Sequence, residues 1–165
     1  ILPMVKNKNE IDNIIDAAHY PPLGSRGTGL FRAQEHGDRL EDYIKESYEN
    51  TKIIIQIEHI DAIDNFHDFL QYDAINGFII GPYDLSASLG KPGDFENKKF
   101  KNAIEKFESL CLKTKKDMGY HMAFPDSKKL KGLLKSGYNF IGYSTDILLF
   151  KTQIDVVNKD ISNCV

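Results

Sequence analysis

Several common protein features are scarce or missing in this sequence. No apolar run reaches the roughly 18 residues that a membrane-crossing helix needs. The opening residues do not read as a secretory leader. There are two cysteines, Cys111 and Cys164, far apart and without CxxC spacing. Reduced thiols in a cytoplasmic protein are the simple reading. No excess of positive charge is present: 21 basic residues face 24 acidic ones, a formal net charge of -3. That balance gives no reason to expect a nucleic acid or an anionic membrane surface as partner. No GK[ST] follows the glycine-rich loop at 24–29, which argues against a phosphate cradle. Ser86 and Ser88 lack a GxSxG context, which argues against a serine nucleophile. No hairpin signal and no low-complexity tract are found.

The 165 residues, 41% of them apolar, are enough for one domain with a real core, residues 1–165. The central stretch is Gly77-Phe78-Ile79-Ile80-Gly81-Pro82-Tyr83-Asp84-Leu85-Ser86. Its apolar run is too short for a helix, and glycine bounds it on both sides. It predicts a strand buried on both faces. Pro82 cannot donate to a ladder, so the strand stops there. Asp84 then lies just beyond the carboxyl end, where ligands sit in parallel sheets and barrels. A second segment, Ile53-Ile54-Ile55-Gln56-Ile57-Glu58, has the same design: an aliphatic run that ends in a carboxylate.

The remaining elements alternate. Ile1–Val5 predicts a short strand, already apolar at its first residue, so a segment upstream of Ile1 is expected. Asn9 is a candidate cap for a helix over Glu10–His19, which carries Ile11, Ile14, Ile15 and Ala18 on one face. Tyr20-Pro21-Pro22 ends it. Helices are also predicted over Asp38–Asn50, Ile60–Leu70, Asn97–Lys116 (the longest), Lys128–Leu134 and Ile147–Ile161. Further strands are predicted at Gly119–Ala123 and Phe140–Tyr143. Five strand–helix units without hairpins require a parallel sheet with right-handed crossovers. They form either an open sheet or most of a barrel that lacks its first units.

Neighbouring parallel strands lie ~4.8 Å apart. Two carboxylates at that spacing repel unless a proton or cation sits between them. Glu58 or Asp84 alone reads equally well as an acid at a helix start. At equivalent ends of two buried strands, the pair favours a hard divalent ion such as Mg²⁺ or Mn²⁺. In the loop Leu23–Arg32, Arg26 or Arg32 could guide a substrate carboxylate, although a purely structural loop is the alternative. His59 could ligate or orient, or simply start a helix. His121, inside a strand, reads as a hydrogen-bonded core histidine.

Read together, Pro3-Met4-Val5, Tyr20-Pro21-Pro22-Leu23-Gly24-Ser25-Arg26-Gly27, Gln56-Ile57-Glu58, Gly81-Pro82-Tyr83-Asp84-Leu85-Ser86 and Phe140-Ile141-Gly142-Tyr143-Ser144-Thr145-Asp146 resemble the HpcH/HpaI aldolase family, relatives of the citrate lyase β subunit. The resemblance implies a (β/α)8 barrel and class II aldol chemistry on pyruvate or another 2-keto acid with an aldehyde. Glu58 and Asp84 would hold the divalent ion, Mg²⁺, Mn²⁺ or Co²⁺. Gln56 and the chain at Gly81, Pro82 and Tyr83 would hold the pyruvate end, with Arg26 as a further candidate contact. The family assembles as trimers and hexamers. Ile1–Val5 matches its fourth strand, so this chain corresponds to strands 4–8 of a partial barrel. The family's acid–base His and pyruvate-binding Arg belong to earlier strands, upstream of Ile1, and no residue here takes either role. Two alternatives remain open: a lyase for citryl- or malyl-CoA-type thioesters, and a non-catalytic barrel fragment or oligomerisation module.

Overall fold

The structure is a computed structural model and describes residues 1–164. Four apolar segments become strands: β1 (Ile53–Ile57), β2 (Ile75–Ile80), β3 (Asp117–Met122) and β4 (Phe140–Tyr143). They form one sheet in the order β1-β2-β3-β4, and every neighbouring pair is parallel. Helices provide the crossovers: α1 (Lys8–Ala18), α2 (Leu40–Asn50), α3 (Ile60–Asp64), α4 (Phe66–Phe69), α5 (Pro82–Ser88), α6 (Lys98–Cys111), α7 (Ser127–Lys135) and α8 (Asp146–Cys164). A 3-10 segment at Arg32–Gly37 precedes α2.

The structure departs from the sequence expectation in four places. Ile1–Val5 does not extend into a full strand. Leu2 forms one parallel bridge with Ile55, donating to Ile54 O and accepting from Gln56 N, both at 2.9 Å. Pro3 has no N–H, and Met4, with φ 58°, turns its own N–H away from the ladder. The cap of α1 is Asn7, not Asn9; its side chain accepts from Glu10 N. The Ile60–Leu70 helix breaks into α3 and α4 at Asn65, whose φ/ψ of -88° and 4° leaves helical geometry while its side chain donates to Lys6 O at 2.8 Å. The longest helix is α8, with 19 residues, rather than α6, with 14.

The core lies between one sheet face and the helices. Side chains alternate along each strand, so Ile55, Ile57, Phe78, Ile80, Met118 and Tyr120 point to the helix layer. There Phe66 sits at the centre, its ring 4.8 Å from Phe78 and 5.0 Å from Phe107. The opposite face carries Gln56, Ile79, Gly119 and Phe140 in register. Two residues further on, at the carboxyl ends, comes a row of Glu58, Gly81, His121 and Gly142. His121 pairs with Gly142, and Gly81 N donates to Ile57 O at 3.0 Å, continuing the ladder.

Candidate active site

The site grows from the ends of β1 and β2. Glu58 follows directly after Ile57 and is only 3% exposed. Its two oxygens have separate neutral donors: Met4 N–H reaches Oε1 at 2.7 Å, and the Gln56 amide reaches Oε2 at 2.5 Å. The left-handed Met4 backbone, which costs roughly 1–2 kcal/mol, aims that N–H. No Lys, Arg or His of the described residues pairs with Glu58. A buried carboxylate with neutral donors and no cation leaves its charge uncompensated.

Gly81 explains how closely these side chains approach β2. A Cβ there would come within 2.9 Å of both Gln56 Nε2 and Glu58 Oε2. Glycine therefore lets the side chains of Gln56 and Glu58 lie over the backbone of β2. Pro82 then opens α5 at a position where its missing N–H costs nothing, and Gly81 is the cap residue. Asp84 falls in the first turn of α5, exposed, where a negative charge suits the helix dipole. Tyr83 is 43% exposed and meets Phe95 edge-on at 5.1 Å. Ser86 is 1% exposed, donates to Tyr83 O at 2.7 Å and accepts from Gly93 N at 2.9 Å. It braces the loop after α5.

Among the sequence-derived candidates, the structure gathers Gln56, Glu58 and Gly81 tightly, with Pro82, Tyr83 and Asp84 next in chain on α5. Arg26 stands elsewhere. Its guanidinium lies over the Tyr20 ring, 4.6 Å from the centroid, and pairs with no carboxylate among the described residues. Arg32 begins the 3-10 segment and is exposed. His59 caps α3, its Nδ1 accepting from Asp61 N at 3.2 Å, which is the helix-start reading.

His121 corrects the sequence expectation. It is half-buried rather than a core residue, and no described residue hydrogen-bonds its imidazole. It stands in the Glu58–Gly142 row, on the same face as Glu58. Single-strand periodicity could not show this, because the row exists only once the strands are paired. Nearby, Lys129 on α7 donates to Tyr120 OH at 3.0 Å. Burial lowers the Lys129 ammonium pKa, partly offset by Asp126. Burial also pushes the Tyr120 phenol up to about 12.

Hard oxygen donors suit a hard divalent cation. Glu58, buried and without a counter-charge, is the donor that fits. Among the described residues no three of His, Cys, Asp and Glu cluster closely enough to hold an ion alone. Any ion here would take its remaining ligands from Asp84 after side-chain adjustment, from water and from substrate.

A parallel α/β wall with acids at the carboxyl ends of its strands is the architecture of a barrel enzyme. The comparisons give the family. The HpcH/HpaI aldolase/citrate lyase family matches residues 1–152, and the chain belongs to it. A 2-keto-3-deoxy-L-rhamnonate aldolase of Klebsiella pneumoniae is 33% identical over 157 residues, covering 94% of this chain and 58% of that one. A protein of the same name from Escherichia coli is 31% identical with the same coverage. The crystal structure of an HpcH/HpaI aldolase from Desulfitobacterium hafniense superposes with a TM-score of 0.83 at 26% identity, over 97% of this chain and 62% of that one. A family member from Burkholderia cenocepacia has the same fold, with a TM-score of 0.87 at 21% identity. This chain thus folds as a partial barrel and spans about 58% of the length of the curated relatives it matches. No described helix is long and apolar enough to cross a membrane.

Proposed function

We propose that the chain supplies the ion-holding half of a class II aldolase acting on 2-keto-3-deoxy acids, with pyruvate as the 2-keto product. The observation that carries this reading is Glu58: buried, uncompensated, held by two neutral donors and laid against Gly81 at the carboxyl end of β2. Glu58 and Asp84 would hold a divalent ion, which when bound would supply positive charge to the oxygens of the 2-keto acid. Gln56 fixes the Glu58 carboxylate through its amide and keeps it aimed across β2. The backbone at Gly81–Tyr83 borders the 2-keto acid.

In the cleavage direction the C3–C4 bond breaks. The C4 hydroxyl gives up its proton as the aldehyde forms. The electron pair stays on C3 as the enolate of pyruvate, which then takes one proton. None of the residues described at the site is placed to move those protons. The working assembly is a homo-oligomer, in keeping with the family resemblance, and the partners are small molecules.

The test is release of pyruvate from a 2-keto-3-deoxy sugar acid in the presence of Mn²⁺. The expected result is pyruvate formation that Asp84→Asn abolishes together with the binding of Mn²⁺. Unchanged Mn²⁺ affinity in that variant would remove Asp84 from the site. Cleavage of a citryl- or malyl-CoA thioester in preference to the free acid would replace the substrate class.

A further inference from the structure

We infer that His121 recognises the aldehyde half of the substrate, and that it selects aldehydes carrying a hydroxyl beside the carbonyl. The inference rests on the aldolase reading above and adds a specificity-determining residue to it. Three observations on different elements support it.

The first is register. His121 shares its row and face with Glu58, and Gly81 is the single residue between them. Two strand spacings put their backbones about 10 Å apart, the span of an ion, a three-carbon keto acid and the next carbon to be joined. A Cβ on Gly142 would meet His121 Cδ2 at 2.9 Å, so the ring lies toward β4, while the Gln56 amide and the Glu58 carboxylate lie over Gly81. Glycines on both neighbouring strands thus let Glu58 and His121 lie close against the sheet.

The second is hydrogen-bonding capacity. His121 lines a cavity of about 180 Å³ together with Pro82, Tyr83, Phe95, Phe124 and Lys129. Its other charged groups are already committed. Asp126, also in the wall, accepts from Lys128 N and Lys129 N at 2.8 and 2.9 Å. Lys129 donates to Tyr120 OH and lies over the Tyr120 and Phe95 rings at 4.6 and 5.2 Å. His121 is a polar side chain of the wall with no partner among the described residues. A neutral imidazole both donates and accepts, which matches a hydroxyl.

The third is size. The cavity equals the liquid volume of about six waters, at ~30 Å³ each. It has room for a two- or three-carbon aldehyde.

The experiment compares the Mn²⁺-dependent condensation of pyruvate with glycolaldehyde, with propanal and with glyoxylate. Propanal lacks the hydroxyl of glycolaldehyde, and glyoxylate replaces it with a charge. The unsubstituted protein is expected to prefer glycolaldehyde. His121→Leu lowers the glycolaldehyde-to-propanal ratio of kcat/KM at least about tenfold, the worth of one well-made hydrogen bond to substrate. His121→Asn, which keeps a donor and an acceptor, recovers part of the ratio and shows that folding is not the cause. A ratio that moves less than about twofold in His121→Leu overturns the assignment and leaves the aldolase reading intact. A preference for glyoxylate overturns it in favour of an anion site. No condensation with any of the three aldehydes overturns the aldolase reading, and this assignment with it.

Discussion

On the β1–β2 side of the sheet, Ile55, Ile57, Phe78 and Ile80 lie fully buried against Phe66, Phe69 and Phe107. On the far side, α8 buries none of its residues, and Ile147 and Phe150 are 72% and 68% exposed. The contrast shows where chemistry can be placed. A carboxylate becomes a strong ion ligand when its surroundings keep water out and hold its geometry, and only the β1–β2 side does both. Glu58 is desolvated and doubly hydrogen-bonded there; an acid on α8 would stay solvated. His121 stands between these regimes, rigid in its backbone and open at its ring.

Paired substitutions, one on each side, sharpen the contrast. The largest difference is expected between Phe66→Ala and Phe150→Ala. The first empties the aromatic centre and should cost about 3–5 kcal/mol; the second removes an exposed ring and should stay within about 0.5 kcal/mol. Denaturant unfolding of the two variants measures this, and equal losses would dissolve the distinction. Next come the glycines. Gly81→Ala forces Gln56 and Glu58 to move and should cost about 1–3 kcal/mol, with loss of the Met4–Glu58 hydrogen bond. Gly132→Ala on α7 has nothing within 4 Å of the new Cβ and should gain about 0.5–1 kcal/mol.

The smallest contrast is chemical. Cys111 is buried and Cys164 exposed, and both are free thiols. Burial pushes the Cys111 thiol from its ordinary 9.0 up to about 11, opposed in part by a hydrogen bond with Thr114. At pH 8 a thiol reagent should label Cys164 promptly and Cys111 only on unfolding. The sign for stability follows. The unfolded chain releases the Cys111 proton first, so the fold loses stability as pH rises from 9.0 toward about 11. A Cys111→Ala variant should lose that alkaline slope.

Much of this was legible in the sequence. The strands of β1 and β2 were visible as short aliphatic runs, and Glu58 and Asp84 as the acids that end them. Gly81-Pro82 marked a strand stop and also proved to be a helix start. Other features depend on partners that one segment does not reveal. Leu2 forms a single bridge because Met4 gives its N–H to Glu58, 54 residues away. The break at Asn65 depends on Lys6, on the other side of β1 in the chain. His121 looked like a core residue because burial within a strand is inferred from its neighbours, whereas its place beside Gly81 and Gly142 follows from register. Arg26 was a reasonable carboxylate guide by residue type; its place over the Tyr20 ring was not visible in the loop's sequence.

The central claim is that Glu58 and Asp84 form a divalent-ion site that a keto acid completes. A calorimetric titration of Mn²⁺, alone and then with oxalate as a mimic of the pyruvate enolate, tests it most directly. The account predicts one site whose affinity oxalate strengthens. In Glu58→Gln it predicts a loss beyond the roughly 10- to 100-fold that removal of an outer partner costs. Binding that ignores oxalate, or that survives in Glu58→Gln, would contradict it.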